Sequence, residues 1–174
     1  MATHPDILLR KLEPDDLPLL YQWENDADAW LEGNTHNPLS HEDLRDYIMR
    51  TTGDIFRDGQ LRLMICPPME TDGGEQTPEA MGCVDLYDVD IRNRKAAVAI
   101  YIAPKHRGHG VAREALRQLK VYVIDILCFR LLYALVREGN QKSVELFEAA
   151  GFKHVATLPN WMNEGNIFVL QTSL

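Results

Sequence analysis

Residues 98–113, from Val98 to Arg113, hold the most legible chemistry in the chain. Three cations, Lys105, Arg107 and Arg113, share this stretch with Gly108 and Gly110, and no carboxylate falls among them. The glycines let the backbone turn tightly and leave N–H groups uncovered by side chains. A helix opening at Val111 would aim its free N–H groups and the positive end of its dipole into that turn. The combination suits a polyphosphate. A P-loop is excluded, because no Lys-Ser/Thr pair follows the last glycine. His106 and His109 have no third ligand nearby, and no Cys/His spacing suggests zinc, so no metal site is expected. Cys66, Cys83 and Cys128 are scattered, odd in number and set among apolar residues, which reads as reduced packing side chains.

Charge is divided unevenly around this stretch. The net charge is −8, yet residues 1–90 hold 20 acidic and 6 basic side chains while residues 91–174 hold 6 and 12. The first part favours a cationic ligand and the second an anionic one. Glu24, Asp26, Asp28 and Glu32, beside Trp23 and Trp30, form a candidate acidic, aromatic-edged mouth for a cationic substrate, or else a solvated loop. Nucleic acid is not expected as the anion, since the chain is acidic overall and lacks a basic stripe interleaved with aromatics. No run approaches the roughly 18 uninterrupted apolar residues of a membrane span. The first six residues have neither a basic nor an apolar region of the kind a signal peptide needs, so a cytoplasmic protein is expected.

The elements that must position these groups follow from patterning. With 174 residues, 45% of them apolar and 25% charged, the chain suits a single domain over 1–174 with an ordinary core. Residues 7–12 read as a strand. Pro14 and the acids around it open a helix carrying Leu17, Leu20, Tyr21 and Trp23. Residues 25–37 are polar and irregular. A second helix follows Pro38, with Ser40 and Asp43 at N-cap spacing and Leu44, Tyr47 and Ile48 as its stripe, and it ends by Gly53–Gly59. Residues 60–66 form a strand, 67–79 an exposed loop rich in Pro, Gly, Thr and acid, and 81–90 and 96–103 a hairpin turning at 91–95. The continuous apolar run from Val98 to Ala103 implies a strand covered on both faces, stopped by Pro104. A helix over 111–127, a strand over 130–136 and a helix ending at Gly151 come next, the last capped by Asn140 or Ser143. Strands over 152–158 and 167–172, joined by a polar segment, close the order β-α-α-β-β-β-α-β-α-β-β.

Arg107-Gly-His-Gly-Val-Ala112 resembles the acetyl-CoA motif of the GNAT N-acetyltransferases, Q/R-x-x-G-x-G/A, with Arg107, Gly110 and Ala112 in its defined places. Residues 140–152 resemble that family's second cofactor segment, N-x-x-(A/S)-x-x-(L/F)-(Y/F)-x-x-x-G-F. Residues 9–17 and 82–86 are similar to the branch holding ribosomal-protein N-terminal acetyltransferases and spermidine acetyltransferases. The resemblance implies an α+β fold, a mixed and mostly antiparallel sheet flanked by helices. Its parallel pair, 96–103 beside 130–136, would splay to leave a slot. Acetyl-CoA would lie there, with its pyrophosphate on the N–H groups of Arg107, Gly108, His109, Gly110, Val111 and Ala112. The pantetheine would run beside Ile100, Tyr101 and Ile102, with Asn140, Lys142, Ser143 and Phe147 on the second side. The reaction implied is direct attack of a small primary amine or a protein N-terminus on the thioester. The resemblance also leaves room for a homodimer.

That reaction needs a route for the amine's proton, an N–H donor for the oxyanion and a late proton for the thiolate. The strand near Tyr101 and Ile102 could supply the donor. Many relatives place a tyrosine at 147 to protonate the thiolate; here Phe147 cannot. Tyr101, Tyr133 or water could replace it, or the thiolate could leave as an anion, since thiols are acidic. Asp85, Asp88 and Asp90 are candidate bases. On an extended strand Asp85 faces the side opposite to the other two, and relatives that acetylate polyamines carry an acid at the place of Asp85. Glu24, Asp28 and Glu32 are the candidate acceptor-binding residues. The rival reading is a non-catalytic acyl-CoA-binding module on the same fold.

Overall fold

The computed structural model describes residues 5–26, 37–68, 79–162 and 165–174. Its strands are β1 (Leu8–Lys11), β2 (Leu61–Cys66), β3 (Gly82–Asp90), β4 (Lys95–Ile102), β5 (Leu131–Arg137), β6 (Lys153–Met162) and β7 (Gly165–Ser173). Its helices are α1 (Leu17–Glu24), α2 (His41–Arg50), the single turn α3 (Ile55–Asp58), α4 (Val111–Asp125) and α5 (Gln141–Ala149). One seven-stranded sheet runs in the order β1-β2-β3-β4-β5-β7-β6. Every pairing is antiparallel except that of β4 with β5.

Period-two alternation divides the sheet into two cores. In β2, Leu61, Leu63 and Ile65 join Val84, Val98 and Leu132 beneath α4 and α5. Met64 and Cys66 point the other way, into a smaller cluster with Leu20 and Trp23 of α1 and Leu44 and Ile48 of α2. The hydrophobic stripes read from the sequence supply this core through Leu20, Trp23, Leu44 and Ile48, with Leu17 and Tyr47 packed against it, whereas Tyr21 is exposed. Ser40 caps α2 as its spacing implies: its hydroxyl accepts from Asp43 N–H, and Asp43 accepts from Ser40 N–H. Cys66 and Cys83 are packing residues, whereas Cys128 is exposed in a turn at φ +56°.

Four sequence expectations change. The helix after Gly110 ends at Asp125, two residues early. The 53–59 segment holds a helical turn capped by Asp54, whose carboxylate accepts from Phe56 N–H. The two last strands run through much of the segment read as their polar connection. A register shift between Leu158 and Met162, with Asn160 at φ +51°, absorbs Pro159 without ending the ladder. Finally, β4 is not covered on both faces: Ala99 is exposed and Ile100 and Tyr101 are half-buried. Most of the 67–79 loop, and Asp28, Trp30 and Glu32, lie outside the described residues.

A buried ion pair anchors the entry to α1. Arg10 of β1 grips Asp16 in a fork, Nη1 to Oδ2 at 2.8 Å and Nη2 to Oδ1 at 2.7 Å, and Glu13 N–H donates to the same carboxylate at 2.9 Å. Asp16 is only 3% exposed. Removing one partner strands the other in a poorly solvated place. Asp16→Ala is expected to cost about 3 kcal/mol of stability, read from urea unfolding.

Candidate active site

The parallel pairing of β4 with β5 lasts three rungs: Lys95↔Leu131, Ala96↔Leu132 and Ala97↔Tyr133. Beyond Ala97 the two strands part, although β4 continues to Ile102 and β5 to Arg137. β3 pairs with the other side of β4 as far as Ile102, and β7 with the other side of β5 as far as Arg137. Their facing edges therefore present backbone N–H and C=O groups to a wedge-shaped slot, and such groups require partners. The exposed Ala99 and half-buried Ile100 and Tyr101 sit where the wedge widens.

At the end of β4 the chain passes through a 3-10 turn, Pro104–His106, and reaches α4 by way of Gly108 (φ +81°) and Gly110 (φ +79°). Both glycines take the left-handed conformation that side chains disfavour. A Cβ on Gly108 would meet nothing within 4 Å; one on Gly110 would lie 3.5 Å from Pro5. The turn is thus open rather than crowded, and residues 107–110 are exposed around it. Gly110 is the N-cap of α4 and no side chain caps the helix there. The first N–H groups of α4, those of Val111, Ala112 and Arg113, face the opening without intrahelical partners. Backbone in this arrangement has the geometry of an anion cradle, expected from the sequence and tested below. The basic side chains contribute less than the sequence suggests. Arg107 Nε donates to Ile102 O at 2.8 Å, and its guanidinium sits 5.7 Å from the centre of the Tyr101 ring. Lys105 pairs with Glu79 at 2.7 Å. His109 and Arg113 remain at the rim.

At the end of β5, Asn140 is the cap of α5: its Oδ1 accepts from Ser143 N–H at 3.1 Å. Lys142 is exposed and Ser143 half-buried beside it. Phe147, one turn on, is 4% exposed and packs edge-on against Phe152, with ring centroids 5.0 Å apart. It was expected to line the slot; its place is in the core.

Tyr101 turns away from α4, towards α1. Its ring centroid lies 5.3 Å from that of Trp23. Burial pushes its phenol pKa up, the Asp26 carboxylate adds to this, and the phenol therefore stays protonated at neutral pH. Trp23, Asp26, Glu79, Tyr101 and Lys105 line a cavity of about 540 Å³. A hollow of about 660 Å³ between α2 and the 51–60 turn lies away from the fork.

Two expected acidic residues are tied up elsewhere on this face. Arg62 of β2 donates to Asp85 through Nε (2.7 Å to Oδ1) and Nη2 (3.0 Å to Oδ2), and to Glu24 Oε1 through Nη1 at 2.6 Å. Asp85 therefore spends both oxygens on the Arg62 guanidinium, and neither is left to receive a proton from an amine. Glu24 holds the end of α1 to the sheet. Arg62 was missed in the sequence reading. The signal was an arginine between two core leucines, Leu61 and Leu63, in an alternating strand that had to find an acid on its own face. The alternation expected of Asp85, Asp88 and Asp90 also fails, because β3 carries a bulge between Tyr87 and Asp90.

Comparison with known proteins agrees with this architecture. The family model described as an acetyltransferase (GNAT) domain matches residues 6–153. The chain is 36% identical over 152 residues to a spermidine N(1)-acetyltransferase of Vibrio cholerae, covering 84% of this chain and 78% of that protein. It is 27% identical over 155 residues to the Escherichia coli K12 spermidine N(1)-acetyltransferase, covering 87% and 75%. A crystal structure of the Vibrio cholerae spermidine N-acetyltransferase with CoA and spermine superposes with a TM-score of 0.78 at 23% identity, over 97% of this chain and 95% of that one.

The cradle gives a direct test. Gly110→Val puts a β-branched side chain at φ +79°, at a cost of about 1–2 kcal/mol in stability. It is expected to weaken CoA binding by about tenfold or more, equivalent to about 1.4 kcal/mol, in isothermal titration calorimetry. An affinity equal to that of the parent chain would remove the glycine turn from the binding site.

Proposed function

Because the chain belongs to the GNAT acetyltransferase family, we propose that its acetyl-CoA-dependent N-acetylation acts on a small polyamine-like primary amine, which reaches the thioester from the α1 side of the sheet. The observation that carries this reading is the cavity holding Trp23, Asp26, Glu79 and Tyr101, whose Tyr101 wall belongs to β4 beyond the fork. Carboxylates attract an ammonium, aromatic faces hold it, and the cavity suits a slender chain rather than a folded polypeptide. The spermidine-acetylating relatives support the same substrate class.

In this reading the two sides of the sheet divide the work. The N–H groups of residues 108–112 hold the pyrophosphate, that of Arg107 being spent on Pro104 O, and Gly108 and Gly110 permit its close approach. Ile100 and Ile102 flank the pantetheine, and Asn140, Lys142 and Ser143 border it from the β5 side. Acetyl-CoA supplies the activated acetyl group. The edge of β4 that has parted from β5, near Ile102, is where a backbone N–H would meet the oxygen on which charge develops. Tyr101, held neutral by burial, is a hydrogen-bond donor at the same edge. Asp26 supplies negative charge for the acceptor's ammonium, while Glu79 holds Lys105 at the rim of the cavity. Asp85 and Glu24, locked on Arg62, set the shape of the mouth instead of taking the proton. With Phe147 in the core, the thiolate departs without a phenol from α5, as thiol acidity allows.

Thiol release from acetyl-CoA would be measured across spermidine, spermine, aminoglycosides and peptides with free N-termini. Spermidine or spermine is expected to give the highest kcat/KM, with a KM below about 1 mM. Preference for a peptide, or CoA binding with no turnover on any amine, would overturn the reading. Asp26→Asn is expected to raise the KM for the polyamine about tenfold while leaving the KM for acetyl-CoA unchanged, because it removes a charge from one cavity only.

A further inference from the structure

Asp88 and Tyr133 stand apart from both cavities and meet at the closed end of the fork. The Tyr133 hydroxyl donates to Asp88 Oδ2. Tyr133 belongs to the last paired rung of β4 with β5. Asp88 lies in β3, where the register runs from Tyr87↔Ala97 to Asp90↔Lys95, so that Asp88 and Val89 occupy a length that β4 fills with Ala96 alone. Asp88 takes φ +47°, a conformation sparsely populated by residues with side chains. Because β4 runs between β3 and β5, this bond must cross β4, and it does so at Ala97, whose single methyl is fully buried. The Lys95 ammonium lies 6.0 Å from the centre of the Tyr133 ring. Burial and the Asp88 carboxylate push the phenol's pKa up, so its proton stays in the bond.

We propose that the Tyr133–Asp88 hydrogen bond is a clasp that ties β5 to β3 across β4 and fixes the rung at which the fork opens, making both side chains positioning residues for acetyl transfer. Two parallel strands of compatible sequence would otherwise be free to pair further. Each added residue of pairing would move the apex of the slot by about 3.3 Å. Displacing a reacting group by about 1 Å can cost on the order of 100-fold in rate. The bulge and the left-handed Asp88 are thus the local cost of a fixed apex.

Three variants separate the bond from the fold. Tyr133→Phe removes the donor. Asp88→Gly removes the acceptor but suits the backbone, so stability is retained. Asp88→Asn keeps an acceptor oxygen and tolerates the positive φ. Hydrogen exchange on the whole chain, free of ligand, reads the clasp. Amides of 95–97 and 131–133 are expected to exchange about threefold faster or more in Tyr133→Phe and Asp88→Gly, and at the parent rate in Asp88→Asn. Parent rates in the first two, or Asp88→Asn as fast as Asp88→Gly, would overturn the clasp. The kinetic arm rests on the acetyltransferase reading: kcat is expected to fall about tenfold in Tyr133→Phe and Asp88→Gly, with the Kd for CoA within about twofold of the parent value. Faster exchange with unchanged kcat would overturn the positioning role. A parent chain inactive on every amine would instead count against the proposed function, while the exchange data would still decide the clasp.

Discussion

The molecule depends on where one pair of parallel strands stops pairing. Three rungs hold β4 to β5, and past Ala97 and Tyr133 each strand keeps only its outer neighbour. Interruption of a sheet between strands that continue is costly unless something else uses the exposed backbone. It also gives a rigid wedge whose two edges carry donors and acceptors at fixed spacing. The core beneath α4 and α5 and the smaller one beneath α1 and α2 brace the wedge from opposite faces. The glycine turn before α4 and the cavity beside Trp23 and Tyr101 are thus both anchored to the strand that borders the wedge.

Electrostatics is handled more by backbone and internal pairing than by the residue counts suggest. Of the six basic side chains in residues 1–90, three are ion-paired within the chain: Arg10 with Asp16, Arg50 with Asp46, and Arg62 with Glu24 and Asp85. Lys105, the first cation of the basic turn, is matched by Glu79. Arg107 is folded back on the strand that precedes it. The cradle is therefore polarised chiefly by the start of a 15-residue helix. Arg62 does the opposite service on the acidic side, where it converts two carboxylates from ligands into struts.

Much of the architecture was legible because it rests on local rules. The glycines of the turn, the Ser40–Asp43 cap and the amphipathic stripes each follow from short-range sterics and periodicity. The cap and helix start at Asn140 follow from the spacing of residues 140–143, whereas the packing of Phe147 against Phe152 depends on a partner the local pattern does not name. What could not be read depends on partners distant in sequence. Arg62 lies 23 residues from Asp85 and 38 from Glu24. Tyr133 lies 45 from Asp88. Alternation alone put Asp88 on a definite side of β3; the bulge that cancels the alternation is a property of the β3–β4 register and leaves no turn residue to announce it. The exposure of Ala99 likewise reflects an absent neighbour, not any trait of the Val98–Ala103 run.

A Cβ placed on Gly110 would lie 3.5 Å from Pro5, so the segment ahead of β1 borders the glycine turn. Gln118 Nε2 of α4 also donates to Ile7 O at 3.1 Å, so the lead-in to β1 is laid along the first turns of that helix. The opposite terminus is fastened elsewhere, with Leu174 N–H donating to Arg130 O at the closed end of the fork. Loosening of β1 would therefore be felt at the glycine turn through α4, whereas loosening of the Leu174–Arg130 bond would be felt at the closed end of the fork.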